Sequence, residues 1–260
     1  MQKIALVNQK GGVGKTTTAI NLAAAIAAIG KKALLIDLDP QGNASTGLGI
    51  PQSERECNIY QLIFGLTTPQ KAIKKTSIKN LDVISANVDL AAAELDLKDC
   101  VRREYKIVQL LDNIPYYDYV IIDCPPSLGL LTINALTAVQ HVIVPMQCEF
   151  YSLEGLAHLL KTLKLINANY NPNLNILGIV LTMYDARNRL SAEVHREVKK
   201  FLRDKLFETV IPRNVRLSEA PSHGTAAIAY DHTCKGSKAY IRLAKEILLR
   251  EVQLCKKIPA

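Results

Sequence analysis

The chain carries KGGVGKTT at residues Lys10 to Thr17, between an apolar run (Ile4 to Val7) and an Ala- and Leu-rich stretch of helical character. Glycines in such a loop let the backbone come close to an anion, and the N–H groups of the loop and of the first helical turn point toward its oxygens. Lys15 supplies positive charge for the β- and γ-phosphates. The stretch therefore predicts a nucleotide-binding protein whose fold contains a strand, a phosphate loop and a helix in succession.

The loop departs from the usual G-x-x-x-x-G-K-[ST] pattern, because Gln9 stands where the first glycine is expected and Lys10 opens the loop. A second lysine at the mouth of the loop is either a solvated surface charge or a group that reaches a phosphate, such as one on a neighbouring subunit. We interpret Lys10 as functional because of its place in the motif.

Beyond the loop, short apolar runs rich in β-branched residues alternate with helical segments. The predicted strands are Ile4 to Val7, Ala33 to Ile36, Leu81 to Ile84, Tyr119 to Ile122, His141 to Pro145, Ile176 to Leu181 and Thr209 to Ile211. The predicted helices are Thr16 to Ala28, Ala91 to Glu94 and beyond, Glu104 to Asn113, Leu131 to Val139, Ser152 to Asn167, Ser191 to Lys205 and Ser237 to Gln253. This alternation indicates an α/β fold, with a mostly parallel twisted sheet covered by helices on both faces. Since no Pro/Gly/Ser-rich linker divides the chain, we expect residues 1–260 to form one domain.

Three aspartates follow predicted strands, at the edge where ligands bind to parallel sheets. Asp37 and Asp39 lie in LLIDLDPQGN, and Asp123 lies in YVIIDCPPS. A lone aspartate at a strand end is usually a turn or helix cap, but beside a phosphate loop Asp123 is placed to hold Mg²⁺ directly or through water, with Thr16 offering its hydroxyl. Asp39 can orient an attacking water, and Asp37 can support the metal or the backbone that follows; the sequence alone does not separate these two roles.

The composition of the chain bears on its cellular compartment and on the kind of partner that it can attract. Its six cysteines include no C-x-x-C pair, which suggests reduced thiols in the cytoplasm, and no uninterrupted apolar segment reaches about 18 residues. The net charge is +8, and between Asp185 and Arg216 nine Lys/Arg stand against five Asp/Glu, a local excess of four. Such an excess permits attraction to an acidic polymer without demonstrating it.

Four segments in order resemble the ParA/Soj family of partition ATPases, within the deviant Walker-type class that also contains MinD. They are KGGVGKTT, LLIDLDPQGNASTGLG, YVIIDCPPSLGLLTINAL and VIPRNVRLSEAPSHG, and the similarity extends from about Ile4 to Ala244. The resemblance implies a P-loop NTPase-like fold, ATP and Mg²⁺ as cofactors, and slow ATP hydrolysis that a partner stimulates.

The resemblance also implies roles for individual residues. Lys10 matches the family's signature lysine, which crosses a nucleotide-sandwich dimer to the partner's phosphates, and Gly11 lies where a side chain would intrude between the subunits. Asp39 matches the residue needed for hydrolysis, so the implied catalytic residues are Lys10, Lys15 and Asp39. The implied metal ligands are Thr16, Asp123 and, more weakly, Asp37. The implied nucleotide-binding residues are Gly11, Gly12, Val13, Gly14, Lys15, Thr16, Thr17 near the α-phosphate, and Pro212 and Asn214 at the adenine.

Members of this family bind double-stranded DNA without sequence preference as ATP-bound homodimers. Arg187 and Arg216 match the arginines that do so, and pairing subunits would multiply their weak, salt-sensitive phosphate contacts. Lys199, Lys200 and Arg203 are weaker candidates, because they also fit an ordinary solvated helix face. The implied partner is a DNA-bound protein of the ParB/Spo0J type, and the implied location is the nucleoid in the cytoplasm.

Three alternative functions each fit part of the sequence less well. A MinD-like, membrane-associated positioning ATPase would use a C-terminal apolar stripe formed by Ile241, Ala244, Leu248, Leu249, Val252 and Cys255, followed by Lys256 and Lys257. We favour a helix packed on the sheet, because the stripe is short and Glu246 and Glu251 lie on its polar face. The presence of Asp39 argues against a DNA-binding protein that uses ATP only as a structural ligand, and the scattered cysteines argue against a metal-cluster ATPase.

Overall fold

The computed structural model describes residues 1–255, which are built around a seven-stranded sheet. The strands are β1 (Gln2–Leu6), β2 (Ala33–Asp37), β3 (Ile73–Lys75), β4 (Leu81–Ile84), β5 (Tyr119–Asp123), β6 (His141–Gln147) and β7 (Asn175–Thr182). The α-helices are α1 (Lys15–Ala28), α2 (Asn43–Gly47), α3 (Ile59–Ile63), α4 (Pro69–Ala72), α5 (Ala93–Asp96), α6 (Lys106–Leu111), α7 (Leu130–Ala138), α8 (Ser152–Asn169), α9 (Arg189–Leu202), α10 (Val215–Glu219), α11 (Ala227–Tyr230) and α12 (Lys235–Cys255). Single 3₁₀ turns cover Gln52–Glu54, Val88–Ala92, Arg103–Tyr105, Arg203–Lys205 and Ala220–His223.

The strands lie in the order β3-β4-β2-β5-β1-β6-β7, and all neighbouring pairs are parallel except β3 with β4. Strands β1, β2 and β5 therefore lie side by side at the centre of the sheet. Because the three run in the same direction, the phosphate loop after β1 and the aspartates that end β2 and β5 meet at one edge.

Alternate residues of the central strands enter two separate hydrophobic cores. Ile4 and Leu6 pack beneath α1 and α12, whereas Ala5 and Val7 face the opposite layer, which contains α6, α7 and α8. All four side chains are almost fully buried. The predicted α/β fold, with a mostly parallel sheet covered on both faces, is confirmed.

The strand predicted over Thr209 to Ile211 is wrong. Residues 206–212 instead run beside β7 with isolated bridges from Ile179 to Leu206 and from Tyr184 to Pro212, and the Ile211 N–H donates to the Leu181 carbonyl at 2.8 Å. The edge strand β3 was not predicted, because IKK offers a single apolar residue and no alternation over its three positions.

The helix predicted from Ala91 to Glu94 and beyond is present as one 3₁₀ turn followed by the four residues of α5, which ends at Asp96. The predicted helices Glu104 to Asn113 and Ser191 to Lys205 each divide into a 3₁₀ turn and an α-helix. Short helices with fewer than six residues carry too little periodic signal to be recognised from the sequence.

The C-terminal helix α12 packs against α1, but the buried face is offset from the predicted stripe. Tyr240, Leu243 and Ile247 are buried, whereas Leu249 and Val252 are 65% and 53% exposed. The side chain of Cys255 and residues Lys256 and Lys257 lie outside the described part of the chain. Glu251, assigned to the polar face, is instead buried and accepts a hydrogen bond from the Tyr119 hydroxyl at 2.5 Å.

No helix within residues 1–255 combines the length and the apolar character needed to cross a lipid bilayer.

Candidate nucleotide site

The phosphate loop joins the end of β1 to the start of α1. Gly12 and Gly14 adopt left-handed backbone conformations, with φ of +74° and +82°, that other residues rarely adopt. Gly14 is the N-cap of α1, so the fourteen-residue helix begins directly at the loop and presents its unpaired N–H groups there. This is the geometry of an anion site.

Lys15 is held inside this loop. Its side chain is buried, and its Nζ donates a hydrogen bond to the Lys10 carbonyl at 3.2 Å. Burial lowers the pKa of Lys15, and the nearby carboxylates of Asp123 and Asp39 partly oppose that change. The ammonium therefore faces the aspartates at the edge of the sheet.

The other residues of the loop anchor it to its surroundings. Val13 is buried, and its carbonyl accepts a hydrogen bond from the Thr182 hydroxyl at 2.7 Å. Thr16 and Thr17 are half-buried in the first turn of α1, and the Thr17 carbonyl accepts a bond from the Asn21 side chain at 2.8 Å. Both threonine side chains thus belong to the first turn of a firmly tethered helix.

Asp123 ends β5 beside the loop and is fully buried. Neither of its carboxylate oxygens accepts a hydrogen bond of ordinary geometry. Burial, and then the negative charge of Asp37, raises the pKa of Asp123, and the neighbouring Thr16 hydroxyl offsets only part of that rise. A buried carboxylate without partners, next to a threonine hydroxyl, suits a hard divalent cation that would supply the missing positive charge.

A metal at this point would depend on phosphate and water for most of its ligands. No group of three or more His, Cys, Asp or Glu side chains arranged to hold a metal occurs among residues 1–255. Mg²⁺ retains several waters and uses few protein carboxylates when it binds with nucleotide phosphates, so the residues present fit that ion.

Asp37 and Asp39 occupy different environments, although they are two residues apart. Asp37 is fully buried; its Oδ2 accepts hydrogen bonds from the Ser45 N–H at 2.8 Å and from the Ser45 hydroxyl at 2.6 Å. Its Oδ1 accepts one from the Asp39 N–H at 3.3 Å. Burial raises the pKa of Asp37 to about 6 despite these bonds. Both oxygens of Asp37 are thus engaged in holding backbone, which favours the role of supporting the following segment over that of a metal ligand.

Asp39 is half-buried at the start of a tight turn. Its carbonyl accepts the Gly42 N–H at 2.9 Å, and its Oδ1 accepts the Gln41 N–H at 3.0 Å. Asp39 lies close enough to Lys15 and Asp123 for its charge to raise the pKa of both. The two sets of hydrogen bonds therefore distinguish the two aspartates, which the sequence alone does not separate.

A cavity of about 270 Å³ adjoins the loop on the side of α10 and α12. Its lining includes Pro212 and Asn214, which the family resemblance assigns to the adenine, together with Gly14 and Thr17 of the phosphate loop. The buried Oδ1 of Asn214 makes no hydrogen bond, so it can accept one from a base amino group. Sequence reasoning missed further lining residues, among them Thr182, Met183, Leu217 and Tyr240.

Lys10 extends from the mouth of the loop and forms an ion pair with Glu149. The side chains of both residues are substantially exposed, at 40% and 51%. Gly11 is exposed too, and a Cβ placed on it would meet no atom within 4 Å. Glu149 was not predicted, although its position two residues beyond β6 is again a carboxyl end of a strand.

The basic candidates lie on two neighbouring segments. Arg187 follows β7 in the turn that begins at Tyr184, and Arg216 lies on α10, four residues after Pro212. The bridge between Tyr184 and Pro212 holds these two segments together. Arg187 is 91% exposed and paired with Asp185 at 3.1 Å, and Arg216 is 50% exposed and paired with Glu219 at 2.8 Å.

The weaker candidates lie along and just beyond α9. Lys199 approaches Glu208 at 3.5 Å, and the Lys200 ammonium lies 5.1 Å from the ring centre of Phe201. Arg203 begins the following 3₁₀ turn. These contacts are ordinary for a solvated helix surface and neither support nor exclude a role in binding.

Several known proteins are similar to this chain over most of its length. A family model described as an AAA domain matches residues 1–176. The chain is 54% identical to the sporulation initiation inhibitor protein Soj of Bacillus subtilis over 245 residues, which cover 94% of this chain and 97% of the relative. It is 50% identical to the chromosome partitioning protein ParA of Caulobacter vibrioides over 254 residues, which cover 96% and 95%.

Among solved structures, one similar to this chain is the cobyrinic acid a,c-diamide synthase of Mycobacterium smegmatis with bound ADP and magnesium. The two share a TM-score of 0.85 and 35% sequence identity, over 100% of this chain and 98% of the other. The name of that protein describes a synthase, whereas the relatives at 50% identity and above bear names from sporulation and chromosome partitioning.

Proposed function

Because the chain belongs to the Soj/ParA family of chromosome-partitioning ATPases, we propose that it hydrolyses ATP with Mg²⁺ in order to control its own binding to DNA. In this cycle ATP closes a homodimer, the dimer binds double-stranded DNA without sequence preference, and a DNA-bound partner of the ParB type stimulates hydrolysis and release. Residues 1–260 act as one ATPase domain in the cytoplasm, associated with the nucleoid.

The observation that carries the hydrolytic part of the proposal is the meeting of Lys15, Thr16 and the unpaired, buried Asp123 at one edge of the sheet. Lys15 and the N–H groups of the loop would bind the β- and γ-phosphates, while Thr16 and Asp123 would hold Mg²⁺. The bound metal would neutralise charge that develops on the phosphates. Asp39 would orient the attacking water, since it lies close enough to Lys15 and Asp123 for its charge to act on both.

The proposed base contacts are Pro212 and Asn214, and the proposed cross-subunit contact is Lys10. Lys10 is exposed, and its ion-pair partner Glu149 is exposed too. Because surface ion pairs contribute little free energy to stability, Lys10 can exchange Glu149 for a phosphate at a small cost in free energy. Exposure of Gly11 leaves room for a second subunit to come close to the loop.

For DNA binding we propose Arg187 and Arg216, with Lys199, Lys200 and Arg203 as secondary contacts. The bridged segments that carry the two arginines support a shared surface. Of the α12 stripe that membrane positioning would use, Ala244 is buried inside the protein, whereas Leu249 and Val252 are exposed, so binding to vesicles is tested beside binding to DNA.

The test is binding to a random-sequence DNA duplex at two salt concentrations, with ADP and with ATP, while dimer formation is followed in parallel. We expect binding only with ATP, falling steeply with salt by about 0.9 in log K per log salt for each phosphate contacted. Arg216→Glu should abolish binding and leave the dimer intact.

Lys164→Glu is the matched control, since it makes the same change of charge on the exposed surface of α8. Binding should survive it. An ATP-bound dimer that ignores DNA would contradict the proposal, and binding to anionic vesicles in that case would favour the membrane-positioning alternative.

A further inference from the structure

Arg55 is a buried, charged residue outside every motif discussed so far. It follows the 3₁₀ turn Gln52–Glu54 and is only 2% exposed. Burial lowers the pKa of its guanidinium, and the charge of Asp37 partly restores it. Since burying a charge is unfavourable, such a residue needs a structural or functional reason.

The guanidinium donates only to neutral oxygens. Nε and Nη2 both donate to the Ile50 carbonyl, at 3.1 and 2.6 Å, and Nη2 also donates to the Thr46 hydroxyl at 2.8 Å. Nη1 donates to the carbonyls of Gly42 and Ala86, at 3.2 and 3.3 Å. Arg55 thus connects the first residue, the last residue and the middle of the 42–50 segment to the loop that follows β4.

The 42–50 segment is the continuation of the Asp39 turn. Gly42 closes that turn through its N–H bond to the Asp39 carbonyl, and it has a φ of +63°. A Cβ on Gly42 would come within 2.5 Å of Arg55 Nη1, so the guanidinium lies directly against the turn. Any displacement of Arg55 therefore acts on the backbone next to Asp39.

The Asp39 turn has a second anchor on its other side. Asp37 accepts the Asp39 N–H and holds Ser45, and the Ser45 hydroxyl in turn accepts the Ala86 N–H at 3.0 Å. Both anchors reach the same residue, Ala86, beyond β4. The catalytic turn is thereby fixed to the rigid sheet from both ends.

We propose that Arg55 is a positioning residue for ATP hydrolysis, which holds the 42–50 segment so that Asp39 faces the phosphate loop. This inference rests on the proposed function, because it assigns Arg55 to the reaction in which Asp39 orients water. An apolar side chain would fill the same space at lower desolvation cost, but only the rigid fork of an arginine bonds three points of the 42–50 segment and the loop after β4 at once.

The test compares Arg55→Met with Arg250→Met. Arg250 is a matched control: its side chain is 19% exposed, and it also donates to backbone carbonyls, those of Leu177 and Leu206, but from α12 and far along the chain from Asp39. We expect Arg55→Met to lower kcat by about ten- to a hundredfold, as small misplacements of catalytic groups do, with KM for ATP and the Kd for a fluorescent ADP changed by less than about threefold. Arg250→Met should leave kcat within about twofold at a similar loss of thermal stability.

Two further readouts separate positioning from simple structural support. In an Asp39→Ala background, Arg55→Met should lower kcat no further, since the group it positions is gone. Amide hydrogen exchange should become faster in residues 42–50 of Arg55→Met and stay unchanged in α8. Arg55→Lys should recover part of kcat, because a lysine can reach one or two of the same carbonyls.

The inference would be overturned if Arg55→Met and Arg250→Met lowered kcat equally. It would also be overturned if Arg55→Met lowered kcat further in the Asp39→Ala background. Should Arg55→Met fail to fold, Thr46→Val removes one acceptor at an exposed position, and we expect about two- to tenfold lower kcat. An unchanged kcat in that folded variant would count against Arg55. A wild-type protein that does not hydrolyse ATP would refute the proposed function instead. In that case, amide hydrogen exchange in residues 42–50 would still show whether Arg55 holds this segment in place.

Discussion

At the scale of single residues, the site places two buried carboxylates side by side. Asp37 and Asp123 end adjacent strands, are paired in register across the sheet and are both fully buried. Asp37 is satisfied by Ser45, whereas Asp123 is left without hydrogen bonds. Nucleotide-free protein therefore carries an unfavourable interaction exactly where a cation is expected to bind.

Replacing Asp123 with asparagine should stabilise the nucleotide-free protein at pH 8. The pKa of Asp123 is raised in the folded state by burial and by Asp37, so the folded state holds its proton to higher pH than the unfolded chain. The free energy of unfolding consequently falls as pH rises above the unfolded value of about 4. Asp123→Asn removes this loss of stability. We expect the free energy of unfolding to rise by about 1–3 kcal/mol at pH 8 and to change little near pH 4.

Urea unfolding at both pH values measures this effect. The same variant should lose the extra stabilisation that Mg²⁺ adds to ATP binding in the wild type, which thermal unfolding with ATP and either Mg²⁺ or EDTA would detect. A variant that is less stable at pH 8 would show that Asp123 has a partner the geometry does not reveal.

At the scale of elements, α12 shows how a neighbouring helix determines which face of a helix is buried. Its sequence offers apolar residues on more than one side, and α1 covers the side that contains Leu243 and Ile247. Periodicity predicts that an apolar stripe will be buried, but several overlapping stripes exist in this helix and only tertiary packing decides among them. That is why Leu249, counted in the predicted stripe, is exposed.

The same substitution at two positions of α12 should therefore have very different effects. Leu243→Ala, at a fully buried site, should lower the free energy of unfolding by about 2–5 kcal/mol. Leu249→Ala, at a largely exposed site, should change it by less than about 0.5 kcal/mol. Urea denaturation of both variants provides the measurement, and similar losses in the two would mean that α12 packs through the predicted stripe after all.

At the scale of the whole molecule, the exposed end of the phosphate loop is where a second copy would attach. Gly11→Val should leave the monomer intact, with the free energy of unfolding within about 0.5 kcal/mol of wild type, because a Cβ there meets nothing within 4 Å. We expect the same variant to bind ATP but to form no ATP-dependent dimer, whereas Gly11→Ala should weaken the dimer less.

Sedimentation of each variant with ATP and with ADP distinguishes the monomer from the ATP-dependent dimer. A smaller loss of dimer in Gly11→Ala than in Gly11→Val would indicate a steric cause, since the two side chains differ in volume and not in charge. A normal dimer in Gly11→Val would place the subunit contact elsewhere on the molecule.

The sequence was sufficient for the central sheet and for the phosphate loop, because continuous apolar strands and glycine-rich turns are local signals. Asp123 was recognisable since it ends such a strand. Arg55, Ser45 and Tyr240 were not, because their importance comes from residues distant in sequence that the fold brings to them. The segment at Thr209 to Ile211 has a strand-like composition, yet it bonds to β7 only at isolated points.

The two margins of the sheet have a consequence for crowded conditions. One margin is the antiparallel β3, only three residues long and bearing Lys74 and Lys75, and the other is covered along β7 by residues 206–212. Neither offers a long, bare ribbon of backbone on which a second chain can template its own strand. Such margins disfavour edge-to-edge fusion into fibres, also at the high local concentration that the proposed binding to DNA would create.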